Sequence, residues 1–278
     1  MTIFDWVGKR LASYLSQEVE RDIQVATSKP DDLAATLKKG DVLLVDGNSR
    51  ISTAIKFLTQ STWSHAALYM GHGVTRGGKN KNEPLLVEAD VNEGVRTVPL
   101  SMYSRFHTRI CRPVGLFEKD IDAVIDYVVS RIGHTYDLKN VLDLVRYLVH
   151  SPPVPRGWKR KLLALGSGDP TKAICSSMIA QAFQSVHYPI LPEMLLKDSP
   201  DRSCKRCYRE ILLIKHHSLF TPRDFDASPY FEIIKPTLSK GFNPYQIEWS
   251  SLSTQDNTVM SAYRNKTQFA VIKKTGER

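Results

Sequence analysis

The chain has 278 residues, of which 42% are apolar and 24% charged, a composition typical of a globular protein with its own hydrophobic core. Its apolar runs are much shorter than the roughly 18–20 residues that a transmembrane helix needs, so we expect no membrane span. The net charge of +9 favours acidic partners, but no basic block or recognisable module predicts specific nucleic-acid binding.

The N-terminal segment, residues 1–39, predicts one helix followed by a polar connector. Between Phe4 and Val19 apolar residues recur at helical spacing, with Lys9 and Arg10 on the opposite side. This helix either packs on the rest of the protein or lies on a membrane surface as a basic amphipathic helix. Because no secretory signal pattern is present, we expect a cytoplasmic protein that is peripheral at the membrane under the second interpretation.

Strands dominate the next part of the chain and helices the part after it. We predict strands at Asp41–Val45, Ala66–Met70, Leu85–Glu88 and Thr108–Pro113, with a short helix at Ile51–Leu58. Helices are predicted at Ile121–Ile132, Leu138–Val149 and Thr171–Val186, and the tail after Pro189 is predicted to be irregular. This order predicts an α+β fold in which an antiparallel β-sheet packs against helices.

Cys175 is the candidate nucleophile. It lies in the segment TKAICSSMIAQAF, where the last predicted helix begins. A thiol at a helix N-terminus has a lowered pKa, and backbone N–H groups there can stabilise an oxyanion. The alternative is that Cys175 is a small buried apolar residue of the core.

A cysteine nucleophile needs a base and a group that orients the base. His65 stands at the head of the apolar strand AALYM, and Glu88 interrupts the apolar run LLVEAD on the next predicted strand. Residues on neighbouring antiparallel strands can lie side by side on one face, so Glu88 could orient His65. The competing interpretations are a core histidine and an exposed carboxylate at a strand end.

Several motifs together resemble the YiiX/YebB-like cysteine hydrolases, within them a subgroup called lipo-like proteins. The motifs are GDVLLVDG, STWSHAALYMG, LLVEAD, GHTYDLKN and ICSSMIAQAF. These hydrolases are circularly permuted relatives of the NlpC-type, papain-like peptidases, and the first half also resembles lecithin retinol acyltransferase-like proteins. The resemblance covers about Gly40 to Phe183. It implies a permuted papain-like catalytic domain at residues 40–188. Residues 189–278 match no motif, and we expect them to form a C-terminal extension packed on this domain.

The resemblance also implies roles for individual residues. Cys175 matches the nucleophile, His65 the general base and Glu88 the third polar member of the site. Tyr136, in the motif GHTYD, either lines the substrate pocket, donates to the oxyanion or simply packs. Trp63 and Ser64, next to the base, are expected to wall the cleft.

The predicted activity is a thiol hydrolase that cleaves an amide or ester bond through an acyl-enzyme, without a metal or organic cofactor. The NlpC-type relatives imply a peptide or cell-wall fragment as substrate, and the acyltransferase-like relatives imply a lipid acyl group. Two alternatives are a catalytically silent binding protein and a membrane-associated acyltransferase of the lecithin retinol acyltransferase type.

A second cysteine motif has the spacing of two zinc ligands. Cys204 and Cys207 form a CxxC motif, and His216 and His217 follow it. We predict no metal site, because adjacent histidines on a strand would point in opposite directions.

Overall fold

The computed structural model describes residues 14, 16–18, 26–73, 83–90, 93–134, 174–198, 208–250 and 269–272. The chain divides into two compact units, Met1–Pro236 and Thr237–Arg278. Most of the predicted N-terminal helix and the predicted helix Leu138–Val149 lie outside the described residues.

A six-stranded antiparallel sheet is the centre of the first unit. Its strands are β1 (Val42–Asp46), β2 (His65–Gly73), β3 (Glu83–Asp90), β4 (Gly94–Pro99), β5 (His107–Pro113) and β8 (Phe231–Ile234). They lie in the order β4-β3-β2-β1-β5-β8. A separate two-stranded ribbon consists of β6 (Glu193–Asp198) and β7 (Tyr208–Leu213).

The helices of the described residues are short. They are α1 (Pro30–Thr36), α2 (Arg50–Thr59), α3 (Glu118–Val129), α4 (Ile174–Ser185), α5 (Pro222–Asp226) and α6 (Pro236–Ser239). The Ser49 side chain accepts a hydrogen bond from the Ser52 N–H and thereby caps the start of α2. A 3₁₀ turn, Leu100–Tyr103, follows β4. None of the helices described is long and apolar enough to cross a membrane.

The central strand β1 is apolar and buried from Val42 to Val45, because both faces of the sheet are covered there. Val42 and Leu44 belong to a core cluster that also contains Val124 of α3 and Ile179 of α4. Leu43 and Val45 belong to a second cluster on the other side, together with residues of α1 and of the 3₁₀ turn. The sheet is therefore fixed from both sides, and the first residues of α4 are held against it.

The structure confirms the four predicted strands, and it confirms the predicted helices that lie within the described residues to within a few positions. The α+β fold class is also confirmed. Two predictions are wrong. The polar connector contains α1, in which Pro30 occupies the first turn and Leu33 is buried. The tail after Pro189 contains the ribbon β6–β7, α5 and β8, so it is not irregular.

The tail also completes the sheet and the core of the first unit. Strand β8 pairs with β5 from Ile110–Ile234 to Pro113–Phe231. Phe220, Phe225 and Phe231 are buried in the same cluster as α4. The division into segments 1–39, 40–188 and 189–278 stays a prediction, whereas residues 189–236 contribute to the first compact unit.

The described residues of the second unit form one two-stranded sheet. Strands β9 (Ile247–Ser250) and β10 (Phe269–Ile272) pair antiparallel, with Ile247 opposite Ile272. A 3₁₀ turn, Pro244–Gln246, precedes β9.

Candidate active site

Cys175, His65 and Glu88 meet at one end of the sheet. His65 is the first residue of β2, Glu88 lies in β3, and Cys175 is the second residue of α4. His65 Nε2 lies 2.7 Å from Glu88 Oε2, and the His65 ring also hydrogen-bonds the Cys175 thiol. Because Nε2 contacts Glu88, the ring nitrogen left for the sulfur is Nδ1. The imidazole thus connects a carboxylate to a thiol.

The thiol and the imidazole stabilise each other's charged forms. Burial raises the pKa of the Cys175 thiol, but the charge and hydrogen bond of His65 outweigh it, and the net pKa is lowered. Burial lowers the pKa of His65, but the Cys175 thiolate and then Glu88 raise it well above its usual value. The pair therefore favours a thiolate and an imidazolium, the reactive form of a cysteine nucleophile.

A backbone amide of β2 also contributes to the site. The ladder between β2 and β3 begins at Leu68–Val87, so Ala66 is not part of it. The Ala66 N–H instead hydrogen-bonds the Cys175 sulfur, which further lowers the pKa of the thiol. The Ser176 hydroxyl lies 3.8 Å from the same sulfur.

Glu88 is a buried carboxylate that three donor side chains contact, those of His65, Tyr103 and Arg96. Its side chain is only 3% exposed. Oε2 is shared by His65 Nε2 and the Tyr103 hydroxyl, while Arg96 Nε and Nη2 each lie 2.8 Å from Oε1. Burial raises the pKa of Glu88, but His65, Tyr103 and Arg96 together lower it to about 2. The carboxylate is therefore ionised at any physiological pH.

Arg96 and Tyr103 are site residues that the sequence reasoning missed. Arg96 stands directly opposite Glu88 in the register of β3 and β4. The signal in the sequence was a single arginine within the short strand GVRTVP, next to a strand that carries a buried carboxylate. Tyr103 comes from the 3₁₀ turn after β4, and no local pattern indicates its contact with Glu88.

Trp63 and Ser64 directly precede His65 in the chain, and their side chains contact other parts of the protein. The Trp63 indole N–H donates to Asp226 Oδ2 at 3.0 Å, and its ring packs on His107 at 5.0 Å between centroids. The Ser64 hydroxyl accepts from the Gly47 N–H at 2.9 Å. Both side chains are buried, and their assignment to substrate binding stays a prediction. Tyr136 lies outside the described residues.

Among the residues that the structure describes, no group of three or more His, Cys, Asp or Glu side chains is arranged so that it could hold a metal ion. Cys204 and Cys207 lie outside them. The expected geometry of the two histidines is wrong, since the His216 and His217 rings lie 3.9 Å apart instead of pointing in opposite directions. The reason is that His217 begins a 3₁₀ turn and does not continue a strand.

A comparison with protein families matches the region of the chain that contains His65 and Glu88. Residues 36–147 match the family described as permuted papain-like amidase enzyme, YaeF/YiiX, C92 family. This range contains His65 and Glu88, while Cys175 follows it. Among curated proteins the chain has no match.

Among solved structures, the chain is similar to the metalloprotein yiiX from Escherichia coli O157:H7. The two chains share 15% sequence identity with a TM-score of 0.42, over 71% of this chain and 96% of that chain. The resemblance predicted from the motifs is confirmed by the family match. The chain accordingly has a YiiX-like permuted papain-like fold, the fold of the YaeF/YiiX family of amidases.

Proposed function

We propose that this protein is a cysteine hydrolase that cleaves an amide or ester bond through a covalent acyl-enzyme on Cys175. The observation that carries the proposal is the position of the His65 ring between the Cys175 thiol and the Glu88 carboxylate. The match to a family of papain-like amidases supports the same reaction type.

In the first half of the reaction, the Cys175 thiolate attacks the carbonyl carbon of the substrate. The carbonyl oxygen becomes an oxyanion, which backbone N–H groups at the start of α4, that of Cys175 among them, would stabilise. As the tetrahedral intermediate collapses, the His65 imidazolium gives its proton to the leaving amine or alcohol. The products are a thioester on Cys175 and a neutral imidazole.

In the second half, His65 acts as a general base. It takes a proton from a water molecule, and the resulting hydroxide attacks the thioester carbonyl. The carboxylic acid product leaves, and the thiolate and imidazolium are restored. Glu88 stays ionised throughout and stabilises the charged imidazole through Nε2.

The substrate carries either a peptide or cell-wall amide or a lipid acyl group. The family match supports the amide, while a basic amphipathic N-terminal segment would bring the protein to a membrane surface. The proposed localisation is cytoplasmic and peripheral at the membrane. Tyr136, Trp63 and Ser64 are the proposed substrate-binding residues.

The test is intact-mass detection of an acyl adduct. The wild-type protein is incubated with muropeptide, peptide and lipid ester libraries, each with and without an amine acceptor. We expect an adduct on Cys175 that decays in water, and no adduct on the Cys175→Ala variant. Cys111→Ala is the matched control, because Cys111 is a buried cysteine of the same core cluster and should leave the adduct unchanged.

The same experiment separates the alternatives. An adduct that decays only when an acceptor is added indicates a transferase of the lecithin retinol acyltransferase type. Binding of a library member without any adduct indicates a catalytically silent binding protein and overturns the hydrolase proposal.

A further inference from the structure

Among the described residues of the first unit, two carboxylates are buried: Glu88 in β3 and Asp41 directly before β1. Each binds an arginine, Arg96 of β4 or Arg112 of β5. Glu88 is 2% exposed and Asp41 1% exposed. Arg96 binds Glu88, and Arg112 binds Asp41 through Nε at 2.9 Å and Nη2 at 2.7 Å. Removing two charges from water is costly, so each arginine compensates the burial of its carboxylate.

The two pairs differ in what else contacts the carboxylate. Both Asp41 oxygens are bound by Arg112, and one also accepts from the Lys38 N–H. In Glu88 the oxygens are divided, since Arg96 binds Oε1 while His65 and Tyr103 bind Oε2. The arginine at Glu88 therefore leaves one oxygen directed at the catalytic base.

We propose that Arg96 and Tyr103 are positioning residues that keep Glu88 ionised and fix its Oε2 on His65 Nε2. This inference rests on the proposed function, because it assigns a role in the same site. Arg96 acts through Glu88. Tyr103 acts through Glu88 as well, and its ring also lies beside the His65 ring, with 6.2 Å between the two centroids. The active unit then contains five side chains from β2, β3, β4, the 3₁₀ turn and α4.

Arg96 is itself held in place from the other side. Its Nη1 lies 2.7 Å from Glu93 Oε1, and its Nη2 lies 3.9 Å from Asp90 Oδ2. The guanidinium therefore lies between the buried Glu88 and two more exposed carboxylates, and its own pKa is raised. These contacts restrict its rotation and direct Nε and Nη2 at Oε1.

Loss of Arg96 should raise the pH at which the Cys175 thiolate forms. Without the cation and two donors, burial would dominate and Glu88 would take up a proton at a higher pH. A neutral Glu88 no longer stabilises the His65 imidazolium, so His65 would lose its proton more easily and the Cys175 thiolate would lose its counterion. The pH at which the thiolate forms should then rise.

The experiment measures the rate of iodoacetamide alkylation of Cys175 against pH, which requires no substrate. We expect Arg96→Gln to move the acid limb of this profile upward by about one pH unit or more. Arg96→Lys, which keeps the charge but loses the planar fork, should recover at least half of the shift. Tyr103→Phe should move the limb in the same direction by a smaller amount, since it removes one donor and no charge.

Arg112→Gln is the matched control, because it removes the arginine of an equally buried carboxylate that does not contact His65. It should lower the free energy of unfolding and leave the alkylation profile in place. If Arg96→Gln and Tyr103→Phe lower the rate at every pH without moving the limb, their role is structural and the proposal is overturned. Should one variant fail to fold, as judged by circular dichroism, the other decides.

This measurement also separates the two proposals. A shifted limb in a protein that hydrolyses none of the offered substrates supports the positioning role and counts against the hydrolase. A wild-type protein that forms the acyl adduct, with an unshifted limb in both variants, supports the hydrolase and overturns the positioning role.

Discussion

Cys175 and Cys111 are buried in the same core cluster, yet their thiol pKa values are shifted in opposite directions. Cys175 is 4% exposed and Cys111 0%. Burial raises the pKa of the Cys111 thiol far above its usual range, with the charge of Asp226 adding to it. The pKa of Cys175 is lowered despite a comparable burial. The surroundings of a thiol, and not its exposure, therefore decide whether it can act as a nucleophile here.

The surroundings of the two thiols differ because Cys111 and Cys175 lie in different parts of the fold. Cys111 lies inside β5, with Val42 and Ile233 opposite it on the neighbouring strands. Cys175 lies at the start of α4, beside the His65 ring and the Ala66 N–H of β2, which the ladder between β2 and β3 does not include. In the middle of a strand the neighbours of a thiol are apolar. At the end of the sheet, a backbone N–H and a histidine ring are available to hydrogen-bond the sulfur.

The comparison predicts a very large difference in reactivity. In the native protein at pH 6, iodoacetamide should modify Cys175 on the order of 1,000-fold faster than Cys111, because only the thiolate reacts. Peptide-level mass spectrometry measures the rate at each cysteine separately. Cys204 and Cys207 are followed in the same digest, and modification of either one far ahead of Cys175 would contradict an activated Cys175.

Removing the imidazole should make Cys175 resemble Cys111. We expect His65→Ala to slow alkylation at pH 6 by about 100-fold and to move the midpoint of the rate profile to a higher pH. The physical reason is that the charge and hydrogen bond of His65 oppose the effect of burial on the pKa of the thiol. His107→Ala is a suitable control, since His107 packs on Trp63 and contacts Thr27. An unchanged midpoint in His65→Ala would remove His65 from the site.

Neutralising Glu88 should lower the turnover by an amount between the effects of the other changes. Glu88→Gln keeps the size of the side chain but removes the charge that stabilises the His65 imidazolium, so we expect turnover to fall by roughly 10- to 100-fold. Cys175 remains present and can still be alkylated, more slowly at low pH. Steady-state kinetics on a substrate found by the adduct screen measures the effect. A turnover equal to that of the wild type would exclude Glu88 from the reaction.

Replacing Cys111 should have the smallest effect on the reactivity of Cys175. Cys111→Ser places a hydroxyl in an apolar part of the core, and we expect the free energy of unfolding to fall by about 1–3 kcal/mol. The rate of Cys175 alkylation should be unchanged, because Cys111 does not contact His65. Urea denaturation measures the first quantity and mass spectrometry the second. A slower Cys175 in this variant would show that the two thiols are coupled through the core.

The sequence was sufficient to predict that Cys175, His65 and Glu88 lie together, because each has a position that local patterns define. His65 begins an apolar strand, Glu88 interrupts one, and Cys175 begins a helix. Arg96 was missed because its strand was not predicted, and Tyr103 because its contact with Glu88 depends on the path of a 3₁₀ turn. Likewise β8 has only four residues, and its place beside β5 follows from a pairing between distant parts of the chain.

The order of the elements along the chain also has a consequence for folding. His65, Glu88 and Arg96 lie on three consecutive strands that pair with their neighbours in sequence. Cys175 lies in α4, much farther along the chain, and the edge strand β8 comes later still. Contacts between close segments form faster than contacts between distant ones. During synthesis His65, Glu88 and Arg96 can therefore come together first, and Cys175 joins them only when the first unit is nearly complete.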